Sequence, residues 1–148
     1  MPGPKMKHFR KTTLRFALAL LPLMLLMACA TNNQTKTLDL ALTAYEKAIR
    51  WSEWDLAMDH LAPDYLAENP VSPLDADRLR LFRVTQYNVR SSQPYDAGMG
   101  YEQTVEIRLF NKNRAVERIL VDRQDWRYDV ELEHWFLHTG LPDVRRAR

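Results

Sequence analysis

Apolar and polar positions divide the chain into four stretches. Phe16 to Ala28 is apolar apart from Pro22, and Ala30 to Thr37 is polar. From Leu38 the apolar residues recur every three or four positions. Leu38, Ala41, Leu42, Tyr45, Ala48 and Ile49 therefore share one face of a helix, with Glu46, Lys47 and Arg50 off it. From Leu81 the period changes to two, the signature of strands.

Within the helical stretch, Ser52 followed by Asp55 reads as an N-cap that restarts a second helix. Leu56, Met58 and Leu61 are its expected apolar contacts, and Pro63 stops it. Trp51 and Trp54 fall at the joint and are expected to pack the corner between the two helices. Asp64 to Val71 reads as a loop. Ser72-Pro73-Leu74-Asp75 starts a third helix, with a serine cap, proline at the first helical position and an acid in the first turn. It should run to about Arg80, with Leu74 and Leu79 turned inward.

In the strand stretch, residues 83–90 alternate, with Thr85, Tyr87 and Val89 on one side. Ser91 to Gly100 reads as a long loop. Tyr101, Gln103, Val105, Ile107 and Leu109 then alternate with Glu102, Thr104, Glu106 and Arg108, the cleanest strand of the chain. Asn111-Lys112-Asn113 supplies a turn. A third strand should cover Ala115 to about Tyr128. Its phase is split: Ile119 and Val121 share one face, Leu120, Trp126 and Tyr128 the other. Either both faces are partly covered, or a bulge near Asp122–Asp125 resets the register. After a polar turn around Leu132, Trp135, Phe136 and Leu137 form the last strand, ended by Gly140 and Pro142. Val144 to Arg148 reads as a frayed basic tail.

Helices followed by antiparallel strands make an α+β order: N-terminal helices packed on a curved four-stranded, or slightly larger, antiparallel sheet over residues 38–142. The element order, with the segments 57–65 and 121–128, resembles the nuclear-transport-factor-2-like, or cystatin-like roll, fold. That resemblance implies a sheet wrapped around a helix with a pocket between them. It transfers no activity, because fold alone does not fix function.

The N-terminus changes the picture. Lys5, Lys7, Arg10, Lys11 and Arg15 precede the apolar run, with no acid among the first fifteen residues. The run itself is too short for a membrane-spanning helix, which needs about 20 residues. It ends in Leu26-Met27-Ala28-Cys29, around the single cysteine of the chain. A basic start, a short apolar core and small residues before one Cys resemble a bacterial lipoprotein signal peptide and its lipobox. A short anchor that is never cleaved is the alternative. The resemblance implies removal of residues 1–28 by cleavage between Ala28 and Cys29. Cys29 would then be lipidated, residues 29–37 would form a polar tether, and residues 143–148 would be a basic tail. Ala30, in place of an acid after the Cys, implies by resemblance to Gram-negative lipoproteins the outer membrane, facing the periplasm.

Charge follows the same division. Of 21 Lys+Arg, five lie in the signal, so 16 remain against 19 Asp+Glu, a mature net charge of −3. A nucleic-acid-binding reading based on net charge fails. Thirteen of the remaining cations are arginines interleaved with acids, the pattern of a salt-bridged surface. With Cys29 acylated there is no free thiol, so thiol catalysis, CxxC redox chemistry and cysteine zinc sites are excluded.

Candidate chemistry is sparse. Asp122 and Asp125 on the third strand, with His134 and His138 on the last, offer an Asp–His pair for proton transfer. Against this, Asp122-Arg123 and Asp125-Arg127 give each acid a nearby cation that would keep it ionised and structural. His134 and His138, four apart on a strand, lie about 13 Å from one another, too far for one metal ion. Asp59-His60 is a weak signal. No phosphate-binding loop, GxSxG elbow or HExxH motif occurs, and no cofactor is expected. The expectation is a non-catalytic, membrane-anchored module that binds an envelope protein or dimerises through the exposed sheet face. The alternative is a small-molecule binder, or more remotely a proton-transfer enzyme, whose pocket lining would include Tyr87, Arg123 and Trp135.

Overall fold

The structure, a computed structural model, describes residues 34–148. Residues 1–33, which hold the expected signal segment, the expected cleavage position at Ala28 and the expected lipidation site Cys29, lie outside the described residues. Residues 34–37, expected to belong to the tether, are helical; the Thr37 hydroxyl donates to the Gln34 carbonyl at 2.8 Å. Leu38–Arg148 form a compact unit of their own.

Helix α1 covers residues 34–51 and buries the expected stripe: Ala41, Tyr45, Ala48 and Ile49. It is followed by α2 (Trp54–Met58), α3 (Pro63–Glu68) and α4 (Pro73–Arg80). Three local expectations need correction. Ser52 does not cap α2. Its φ of +57° ends α1, and its hydroxyl accepts the Val84 N–H at 3.0 Å. The span 64–71 holds a helix, because Pro63 at its first turn presets the backbone dihedral and removes a donor that would lack a partner there. The Trp pair splits: Trp54 is buried at the corner, whereas Trp51 is exposed. The cap at Ser72 stands as expected, its hydroxyl accepting the Asp75 N–H at 3.1 Å. Leu79 faces the core from α4, but Leu74 faces solvent.

The sheet is a four-stranded antiparallel meander: β1 (Phe82–Tyr95), β2 (Gly100–Asn111), β3 (Glu117–Asp129) and β4 (His134–Leu137), in that order. With the preceding helices it gives the expected α+β class. The residues read as a loop, Ser91 to Gly100, instead pair across a hairpin from Ser91↔Thr104 to Tyr95↔Gly100, closed by a single 3-10 turn at Asp96–Gly98. Tyr95 explains the tight closure. Its ring lies on the backbone of Gly100, where a Cβ would collide with it, and its hydroxyl bonds the Asp125 carboxylate. Two register shifts, between Val84 and Gln86 and between Val89 and Ser91, break the alternation of β1. Thr85 is therefore exposed while Tyr87 is buried.

No register shift interrupts the pairing of β2 with β3. Leu120, Asp122, Gln124, Trp126 and Tyr128 alternate toward the core, and Ile119 and Val121 are exposed on the other face. The bulge expected near Asp122–Asp125 is absent. Tyr45 and Ile49 of α1 pack with Val105, Ile107, Leu109, Leu120, Trp126 and Leu137 in one core. Residues 60–62 cover the edge of β4: Leu137 donates to the His60 carbonyl at 2.8 Å, and Ala62 donates back to the Leu137 carbonyl at 3.0 Å. The C-terminal tail is not frayed. Val144 and Ala147 are buried, and Arg148 exchanges two backbone hydrogen bonds with Ile119, at 2.7 and 3.0 Å.

Candidate functional site

The site grows out of a mismatch in length. β3 has thirteen residues and β4 has four, so β4 covers only one end of the β3 edge. The β4 ladder runs one step further, with the His138 N–H on the Asp125 carbonyl at 2.8 Å. Gly140, with φ +78°, then turns the chain away. The tail regains the edge at Ile119. Between these two contacts lies a cavity of about 610 Å³, whose lining includes Val121, Asp122, Arg123, Thr139, Asp143 and Arg146. It shares Tyr65, Leu141, Asp143 and Arg145 with a second cavity of about 360 Å³. The second has apolar walls from Leu61, Val71, Leu79 and Val144 and a charged rim from Asp75 and Arg78. Together they form a groove bounded by α3, α4, the β3 edge and the C-terminal segment.

Behind the groove wall sits a buried polar cluster centred on Gln124. Its amide oxygen accepts the Gln103 amide at 2.6 Å and the Trp126 indole N–H at 3.2 Å. Its amide nitrogen donates to the Tyr87 hydroxyl at 3.2 Å and to Asp122 at 2.8 Å. Both donors and both acceptor positions are used, which is how a glutamine is accommodated in a core. Burial raises the Tyr87 phenol well above its usual range, and it does the same to Tyr45 beside Asp122. The Tyr45 hydroxyl is buried without a partner.

Asp122 is the carboxylic acid of the cluster. Burial lifts its carboxyl from 3.8 to about 6, and the Gln124 hydrogen bond offsets only part of that. The nearby cation that sequence spacing offered it is absent. Arg123 is its chain neighbour, and adjacent strand residues point to opposite faces. Asp125 does have its expected cation: Arg127 Nη2 lies 2.7 Å from its carboxylate. Neither histidine joins Asp122. The His134 ring packs against Phe136, with centroids 4.8 Å apart, and His138 lies 3.9 Å from Asp64. His60 stands edge-on to Tyr45 and Trp126, at 5.7 and 6.1 Å, with its Nδ1 buried and unbonded. Burial is the main cause that lowers its pKa. Among the described residues no cluster of His, Cys, Asp and Glu could hold a metal ion.

The three residues named from sequence are placed differently. Tyr87 is closed inside the core but reaches Asp122 through Gln124. Arg123 lines the groove itself. Trp135 is buried against Tyr128, ring centroids 5.4 Å apart. It pairs with Tyr128, whereas Tyr87 falls in the row of Leu120. Eight positions along β3 separate the two rows, about 26 Å. The space between α1 and the sheet is filled by Tyr45, Ile49, Ile107, Gln124 and Trp126, and no residue of α1 lines either cavity of the groove. No protein-family model, no characterised protein and no solved structure matches the chain.

Proposed function

We propose that this chain is a membrane-anchored, non-catalytic module of the cell envelope that holds a partner protein in the groove beside β3. The anchor rests on the basic start, the short apolar run and Leu26-Met27-Ala28-Cys29. The binding role rests on one observation: a groove with apolar walls and an Asp- and Arg-lined rim runs along an incompletely covered strand edge. The outer sheet face supports the role less well. Charged side chains there are already engaged with one another, Arg90 on Glu106 at 2.6 Å and Arg108 between Glu106 and Glu117 at 3.6 and 3.8 Å.

Two measurements on the full chain in a Gram-negative host test the reading. Wild type should carry acyl mass and sediment with outer membrane, and Cys29→Ser should do neither. A photo-crosslinking residue at position 146, on the groove, should capture a defined envelope protein identified by mass spectrometry. The same residue at position 86, on the outer face, should not. An adduct of twice the protein's own mass would identify the partner as a second copy. Equal capture at both positions, or none at either, removes the support for the groove.

A further inference from the structure

Every second residue of a strand turns its N–H and C=O toward the same edge. Ile119 and Asp125 both turn theirs away from β2, to Arg148 and to His138. Val121 and Arg123, spaced at two between them, must do the same. No backbone or side-chain partner meets them there among the described residues, because the chain that would have paired with them left at Gly140. Two N–H and two C=O groups therefore face the 610 Å³ cavity that Val121 and Arg123 line. An edge left open in this way is a template for another extended chain.

The gap also dictates what kind of chain fits. Ile119 to Asp125 spans about 20 Å, and both ends are occupied, by Arg148 and by His138 with Thr139. A strand cannot run through; it must end inside. Two charges are available to it. Asp122 is among the residues that line the cavity, its carboxylate bonded by the Gln124 amide, and Arg123 makes no ion pair among the described residues. The other two arginines are engaged: Arg145 and Arg146 lie 2.8 and 3.2 Å from Asp143. A carboxylate with no cation on it, midway along a strand slot, complements an ammonium group.

We propose that the gap in the β3 edge seats the N-terminus of the partner protein: two extended residues pair with Val121 and Arg123, the terminal ammonium meets Asp122, and an acidic side chain following it meets Arg123. This deepens the proposed role of the groove and rests on it. The contact is non-covalent.

The test uses the full chain in detergent and a fluorescent peptide of sequence Ala-Val-Glu-Ala-Gly, labelled at its C-terminus and read by polarisation. The free-amine peptide should bind, and the N-acetylated peptide should bind at least about tenfold more weakly, the weight of one charge-assisted hydrogen bond. In Asp122→Asn the two peptides should bind alike. In Arg123→Gln the preference for Glu over Gln at the third position should vanish. N-methylation of the peptide amide that faces β3 should abolish binding, and Gln86→Ala should change nothing. Urea unfolding of each variant confirms that it is folded. Equal binding of free and acetylated peptides to wild type, or no binding of either at millimolar concentration, overturns this inference. If the crosslink at position 146 still captures its partner in that case, the groove stands and only its occupant's terminus is wrong.

Discussion

Asp122→Asn should make the protein more stable, and only where the wild-type carboxyl is ionised. In the folded chain this group takes up a proton near pH 6, against 3.8 ordinarily. The shift is about two units, so holding the charge in place costs the fold about 3 kcal/mol. The sign follows from linkage. Between pH 4 and 6 the folded chain binds a proton that the unfolded chain has released, so stability falls as pH rises through that window. Above about pH 7 the whole cost is present; near pH 3.5 it is gone. Asparagine keeps the acceptor for Gln124 and its polar end still meets the cavity. Urea unfolding at pH 8 and at pH 4 measures the difference between variant and wild type, in which the other titrating groups cancel. The variant should be more stable by about 2–3 kcal/mol at pH 8 and within about 0.5 kcal/mol of wild type at pH 4. The same increment at both values, or a less stable variant at pH 8, refutes the reasoning, because a packing effect would not follow the charge.

Three further outcomes arise from the frame around the groove. Ser52→Ala leaves the Val84 N–H without its acceptor and should lower the unfolding free energy by about 1–2 kcal/mol in urea, and Ser52→Gly should not recover the loss in full. Gly140→Ala forces a Cβ into the left-handed region and against the Tyr65 hydroxyl, and should cost about 2 kcal/mol or more by the same assay. His60 titrates in the opposite sense to Asp122. Its pKa is lowered by burial, so stability is lost as pH falls below 6.5. In an Asp122→Asn background the protein should therefore destabilise between pH 7 and 5, and adding His60→Phe should flatten that profile.

How far the sequence carried depends on how many faces an element buries. α1 and β2 each bury one face, so their periods of 3.6 and 2 stand in the sequence, and nearly every inward residue is identifiable there. β1 fails beyond Val89 because Ser91, Ser92 and Gln93 are exposed on both faces, leaving no alternation to read. Its extension is held by the partner strand and by Tyr95 on Gly100. Ile119 and Val121 mimic a buried face although they are exposed. At the site, Asp122 and Arg123 both stand out in the sequence, yet their adjacency suggests an ion pair that strand geometry forbids. The open edge is beyond sequence reading. It depends on where β4 stops and where Arg148 returns, two long-range facts that no local pattern encodes.

The stability cost of Asp122 and the open edge of β3 argue in the same direction. An ionised carboxylate without a cation beside an apolar core is removed by one substitution, and nothing in the packing around it needs the charge, since Gln124 is satisfied as well by an amide oxygen. An unpaired pair of edge residues costs similarly little to cover: the C-terminal segment from Leu141 to Arg148 already passes beside them, and it bonds Ile119 while leaving Val121 and Arg123 bare. Two features that each oppose stability lie on the same few residues of one strand and open into one cavity. Strain and unsatisfied polar groups concentrate where a protein binds something. The coincidence predicts coupling: a ligand that neutralises Asp122 should stabilise wild type more than Asp122→Asn at pH 8, and should stabilise the two equally at pH 4. Thermal unfolding with and without the free-amine peptide measures this directly. A ligand-induced shift that is the same in both proteins at pH 8 would show that the charge and the edge act independently.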